Sequence, residues 1–324
     1  MTRFESISPA QPAPLPRRSL AARLGIVSVP RTELRRRYTQ TGSKFVQIMG
    51  TDVHYVEQGT GPRTLVLIHG FASSLHTWDG VADDLARDHR VIRLDLPPFG
   101  VTGPLRDASG RIETMNISVY RRFIDTFIQA VDATHATLIG NSLGGLIAWD
   151  YAVRHRGAVE QLVLIDAAGF PMKLPIYIDL FNYALVRISS PWWLPEAIVK
   201  SAVRNVYGDP RKLTAPVLRR YIDFFHGEDT REAIGKMVPT LDFRDLDTDV
   251  LKTLDVPTLV LWGAKDRWIP PAHAAEFARR IPGAKSVMYP SFGHIPMEES
   301  PGDVLRDLRG FLVREPGGAA VRPV

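Results

Sequence analysis

The chain has 324 residues and no cysteine, so it holds no disulfide, and a metal site would have to be built from histidine and carboxylates. Its formal charge is +5, yet residues 1–40 alone carry eight arginines, no lysine and two glutamates. The remainder is close to neutral, which argues against a body built to grip nucleic acid, and no apolar run approaches the ~20 residues that cross a bilayer.

Residues 1–16 hold Pro9, Pro12, Pro14 and Pro16 and read as a disordered or extended lead-in. Residues 19–27 have the spacing of a short amphipathic helix, and residues 31–37 form a basic cluster. We read this arginine-rich extension as a solvated strap over the body, in preference to a membrane-surface contact or a transit peptide. With no apolar signal core, the expected location is cytoplasmic. Two strands follow at 45–49 and 53–56, joined by a turn at Gly50-Thr51. Thr64-Leu-Val-Leu-Ile68 is a continuous apolar run, the mark of a strand buried on both faces. It ends in His69-Gly70-Phe71-Ala72-Ser73-Ser74, and a helix starts over 78–85. A strand at 90–94 runs into the turn Asp95-Leu-Pro-Pro-Phe-Gly100. Residues 117–131 carry a helical apolar stripe. A strand over 136–139 leads to Gly140-Asn-Ser142-Leu-Gly144 and a further helix, and the buried strand 161–165 ends at Asp166.

Strands alternating with helices imply a mostly parallel sheet covered on both faces, with the two strands before Thr64 as an antiparallel edge. The alternation stops at Gly169. Residues 170–241 show helical stretches at 176–188, 192–206 and 216–225, and read as an inserted helical cap. The sheet pattern resumes at 257–262 and is followed by a helix at 272–280, a strand at 285–289 and a closing helix at 301–313. The expected division is an arginine- and proline-rich extension (1–42), an α/β core (43–169 and 242–315), the cap (170–241) and a frayed tail (316–324).

Reactive groups gather at the strand ends, where an open α/β sheet builds its site. The G-x-S-x-G pentapeptide stands between a strand and a helix, the setting in which a serine is exposed on a strained turn. Ser142, Asp266 and His294 follow in the order of a nucleophile, an orienting acid and a base. The amides of Leu143 and Phe71 are placed to bind a developing oxyanion. Asp166 is a rival acid at a neighbouring strand end, with the role of a turn carboxylate preferred. His69 is expected to shape the oxyanion loop and Asp95 to stabilise its turn. The other seven histidines show no metal-ligand spacing. No metal, nucleotide or flavin signature appears, so no cofactor is expected.

These motifs resemble the α/β-hydrolase fold superfamily, in its cap-bearing esterase- and lipase-like group. The matching stretches are HGFASS at 69–74, DLPPFG at 95–100, GNSLGG at 140–145, WGAKDRWIP at 262–270 and GHIPMEE at 293–299. The resemblance implies a serine hydrolase that cleaves carboxylic esters through an acyl-serine intermediate, with a small-molecule ester as partner and Ser142, Asp266 and His294 as catalytic residues. Aspartate-nucleophile dehalogenases and epoxide hydrolases of this fold do not match, because position 142 is serine. Alternatives with the same triad are a meta-cleavage-type carbon–carbon bond hydrolase and a cofactor-free haloperoxidase or perhydrolase. A ligand receptor on a hydrolase fold is a further alternative. The carbon–carbon hydrolases carry an H-G-x-G-P loop and an aromatic after the histidine; here residues 69–73 lack that pattern and Ile295 follows His294. The aromatic and aliphatic content of the cap points to an apolar acyl or alcohol pocket.

Overall fold

A computed structural model describes residues 19–244 and 246–312. The sequence expectations for the lead-in at 1–16 and the tail at 316–324 fall outside these residues. Eight strands form one sheet: β1 Ser43–Ile48, β2 Thr51–Gln58, β3 Thr64–Ile68, β4 Arg90–Leu94, β5 Ala136–Asn141, β6 Val159–Ile165, β7 Thr258–Gly263 and β8 Lys285–Tyr289. Their spatial order is β1-β2-β4-β3-β5-β6-β7-β8. β2 runs antiparallel to both β1 and β4, and every other pairing is parallel. The chain leaves β3 towards β4 on one side and returns to β5 on the other, so the strand order reverses beside β3. A crevice opens at such a reversal. The register aligns the carboxyl ends there: Ile68 pairs with Leu94 and Gly140, Asn141 with Ile165, and Ile165 with Leu261. The residues that follow these ends therefore meet.

The central strands are aliphatic and buried from end to end, because helices cover both faces. α1 Leu20–Arg23 and α2 Arg31–Tyr38 precede the sheet, and α3 Asp79–Leu85, α4 Ile117–Ala130 and α5 Leu143–Arg154 lie between strands. In α4 the apolar stripe is the buried stripe: Val119, Tyr120, Phe123, Ile124, Phe127 and Ile128 all face inward, and the Asn116 side chain caps the helix by accepting from the Val119 amide.

Between β6 and β7 stand α6 Ile176–Asp179, α7 Ala184–Ser189, α8 Glu196–Val206, α9 Ala215–Phe225 and α10 Thr230–Met237, and no strand occurs among the described residues there. The expected helical insertion is present, with internal boundaries that differ from the sequence reading. The stretch 176–188 is two short helices broken by a tight turn at Leu180–Asn182 and an extended Tyr183. The break turns Ile178 and Phe181 inward. The next helix begins only at Glu196, because Pro195 sits at its cap with extended backbone. α10 had no forecast; Gly235 interrupts its apolar pattern, and it starts from Asp229 in the left-handed region (φ 63°). α1 stops at Arg23, with Gly25 at φ +70° just beyond it. α11 Ala272–Arg280, α12 Pro296–Glu299 and α13 Pro301–Leu312 complete the fold.

The basic cluster at 31–37 is α2, laid on the body. Its Leu34 is fully buried. Arg31 donates to the Gly100 carbonyl and the Thr230 hydroxyl, and Arg37 pairs with Asp223 at 2.9 Å. No described helix is long and apolar enough to cross a membrane.

Candidate active site

Ser142 follows the last residue of β5 and precedes the first residue of α5. Its backbone lies at φ 57°, ψ −120°, a strained setting for a residue with a Cβ. Neighbours hold it there: the Ser142 amide donates to the Ile165 carbonyl at 3.1 Å, and the Ser142 carbonyl accepts from Leu146 and Ala168. The loop after β3 presses against it. A Cβ at Gly70 would come within 2.7 Å of the Ser142 Cβ and 3.2 Å of its Oγ, so only glycine lets Phe71 follow so close to the hydroxyl. Leu143 opens α5, so its amide has no partner inside the helix.

His294 lies in the turn after β8 and is buried. Its Nδ1 stands 2.8 Å from Asp266 Oδ2. The other Asp266 oxygen accepts from the Trp268 amide at 2.7 Å and the Ile269 amide at 3.0 Å, which fixes the carboxylate. The Trp268 ring stacks beside the imidazole at 5.8 Å. Ser142, Leu143, Phe71 and His294 line one apolar cavity of about 410 Å³. A larger one, of about 810 Å³, shares Phe71, Ile178, Trp268 and His294 with it and continues under the inserted helices past Phe181, Val203 and Phe225. The five site residues singled out in the sequence thus converge: four line one cavity and Asp266 stands behind the histidine.

Asp166 also reaches this place. Its Oδ1 accepts from the Gly263 amide at 2.9 Å. One carboxylate oxygen from each of Asp166 and Asp266 and one ring nitrogen of His294 lie within 4.8 Å of one another. Burial first, and the Asp266 carboxylate next, push the Asp166 carboxyl well above the usual range. Two buried carboxyls side by side cannot both ionise cheaply, so Asp166 favours its neutral form.

His69 and Asp95 have the structural places expected of them. His69 is buried, and burial lowers its pKa to about 4. Its Nε2 faces the Leu96 amide at 2.9 Å and so accepts, which leaves the Nδ1 proton for the Gly70 carbonyl at 2.7 Å. That bond shapes the loop beside Ser142. Asp95 accepts from the amides of Leu75 and Val101 and contacts His54 Nδ1, each at 2.8 Å. Burial, the largest single influence, would raise Asp95, but the His54 hydrogen bond and the nearby histidines His54, His69 and His76 together bring the pKa down to about 2.

The family model described as the alpha/beta hydrolase family matches residues 65–308. The chain belongs to that family. The hydrolase is 30% identical over 281 residues to the 2-hydroxy-6-oxo-6-(2'-aminophenyl)hexa-2,4-dienoic acid hydrolase of Metapseudomonas resinovorans, covering 84% of this chain and 91% of the relative. It is 26% identical over 281 residues to Lipase 1 of Psychrobacter immobilis, covering 81% of each. Among solved structures, the meta-cleavage product hydrolase of Pseudomonas fluorescens IP01 superposes with a TM-score of 0.71 at 21% identity, over 83% of this chain and 97% of that one. That last likeness shows the same fold.

Several residues of the hydrolase's site escaped sequence reasoning. The Asn141 side-chain amide donates to the carbonyls of Ile165 and His294, at 3.1 and 3.0 Å, and so ties the histidine turn to the sheet. Buried Glu299 accepts from the amides of Gly208, Asp209 and Gly293 at 2.9, 3.1 and 2.6 Å. Glu298 accepts from Thr77, Tyr207 and Tyr221, at 2.6 to 2.7 Å. The signal for both glutamates was the pair closing GHIPMEE, two carboxylates in an otherwise apolar segment.

Proposed function

We propose that this hydrolase cleaves carboxylic esters through an acyl-serine intermediate. The observation that carries the reading is the 2.8 Å His294–Asp266 contact beside a strained Ser142 that opens onto apolar space. In this reading Ser142 Oγ attacks the ester carbonyl carbon while its proton passes to His294 Nε2. Asp266 holds the imidazole by its Nδ1 proton and stabilises the imidazolium. The carbonyl oxygen becomes an oxyanion against the amides of Phe71 and Leu143, each such donor being worth ~2.7–4 kcal/mol. The C–O bond breaks, His294 returns the proton to the departing alkoxide, and the alcohol leaves. Water, deprotonated by His294, then attacks the acyl carbon, and the acid leaves as Ser142 recovers its proton.

Two cavities that both reach His294 suit a substrate with two apolar arms, the longer filling the space of about 810 Å³. The test is hydrolysis of p-nitrophenyl esters of graded acyl length by the wild type and Ser142→Ala. Turnover that falls by several orders of magnitude in the variant supports the reading. Turnover unchanged by the substitution overturns it.

The second reading, carbon–carbon bond hydrolysis of a vinylogous diketone, has the 30% identical relative in its favour. Against it stand the 69–73 loop without its G-P pair, and Ile295. Turnover of such a diketone with no ester turnover would select it.

A further inference from the structure

Among the described residues twelve large apolar side chains stand exposed, and ten of them fall in two stretches, four within residues 20–27 and six within 176–193. The stretches are neighbours in space because α10 packs against both. The Arg231 guanidinium donates to the Gly25 carbonyl and, at 2.9 Å, to the Ser28 hydroxyl. One turn further along the same helix face, the atoms nearest Gly235 are the Cα, Cβ and Cγ of Arg187, in α7. Gly25 also lies against the carbonyl of Leu194, the residue after Trp192 and Trp193.

We propose that this joint face of α1 and the inserted helices docks on the surface of a lipid bilayer. Leu185 is 79% exposed, Ile188 66%, Trp192 69% and Trp193 53%. A monomer rarely leaves so many large apolar groups together in water. Bulky aliphatics beside paired indoles and a tyrosine are what the boundary between water and lipid favours, since the ring body enters the acyl region and its polar edge stays wet. The charges in residues 19–29 and 171–195 are Arg23, Lys173 and Arg187 against Asp179, and Asp179 accepts from Asn182 at 2.9 Å. That balance suits anionic headgroups and offers a protein partner few polar groups to pair with. The opposite side of the same stretch, through Tyr177, Phe181 and Val186, lines the larger cavity. A bilayer on the outer face thus lies one helix away from the space beside His294. The docking does not depend on the ester reading.

The experiment sediments the full chain with large vesicles of phosphatidylcholine mixed with phosphatidylglycerol and follows tryptophan emission. The wild type is expected to pellet with the vesicles, with a blue-shifted emission, and to bind less as salt rises. The variant Leu185→Glu/Ile188→Glu/Trp192→Ser is expected to lose about tenfold or more of the bound fraction. Its thermal midpoint should match the wild type, because none of the three side chains is buried. Absence of wild-type binding, or wild-type-like binding by the triple variant, overturns the proposal. A concentration-dependent dimer that the triple variant abolishes, with no vesicle binding, overturns it in favour of a second copy of the chain. Vesicle binding by a protein that turns over no ester supports the docking and counts against the ester reading alone.

Discussion

The carboxyl edge of the sheet and the helical insertion above it face the same cavities, but different physics holds each. At the sheet edge several buried polar side chains are tied to backbone. Asp266 takes two amides and a histidine, Glu299 takes three amides, and Asn141 binds two carbonyls. The insertion is helices joined at prolines and turns, apolar inside and, over residues 176–193, exposing large apolar side chains as well. The proton transfers of the proposed reaction tolerate little misplacement, and the groups proposed for them stand at the sheet edge. Accommodating an apolar group needs only volume and greasy walls, which loosely joined helices provide and can vary without disturbing the chemistry.

The sharpest way to break this contrast is to exchange the two buried acids. Asp266→Asn should lower kcat/KM on a p-nitrophenyl ester by about 10⁴, because an amide no longer holds the imidazole in its working tautomer. Asp166→Asn replaces a neutral group by a neutral group and should cost about tenfold or less. Equal losses, or the reverse order, would move the orienting acid to Asp166.

The pH dependence of stability probes the rigid edge next. The folded chain holds the His69 pKa at about 4, against 6.5 for the ordinary group. As pH falls from 6.5 to 4 the unfolded chain takes up a proton that the native state refuses, so stability is lost in that window. The loss is up to about 3 kcal/mol, at about 1.36 kcal/mol per unit. Urea unfolding across this range should show that slope in the wild type and a flatter one in His69→Gln. An identical slope in both would place the titration elsewhere.

Removing anchors compares the regions directly. Glu299→Ala leaves three amides without their acceptor and should cost about 2 kcal/mol in urea unfolding. Tyr177→Phe, which removes a 2.8 Å contact to Ser201 on the exposed insertion, should stay within about 0.5 kcal/mol. Equal costs would erase the distinction. The insertion should show itself in selectivity instead. Val203→Phe narrows the larger cavity and should lower the ratio of long-chain to acetyl ester turnover by about tenfold, with acetyl turnover itself little changed.

Much of the rigid edge was legible because its signals are local. Thr64–Ile68, Ala136–Asn141 and Thr258–Gly263 are largely apolar strands closed by glycine or polar turns; Ser142 directly follows one of them, and Asp266 and His294 stand in the turns after β7 and β8. His69 and Asp95 were rightly read as structural, but His54, the contact that lowers Asp95, comes from a strand 41 positions earlier and carries no local mark. The insertion was legible only as helical. Its breaks at Tyr183 and Pro195 and its extra helix α10 depend on which apolar side chains find a wall to pack on, and residues distant in the chain build that wall.

The sequence by itself determined the strands, their alternation with helices and the chain positions of the hydroxyl, imidazole and carboxyl groups, since each follows from runs of neighbouring residues. Only the tertiary structure decided that Asp166 stands beside Asp266 while His294 Nδ1 contacts Asp266, that Glu299 and Asn141 clamp the histidine turn, and that large apolar side chains of α1 and of the insertion stay exposed. Those outcomes depend on pairings between residues far apart in the chain, and the sheet register sets such distances where local propensity cannot.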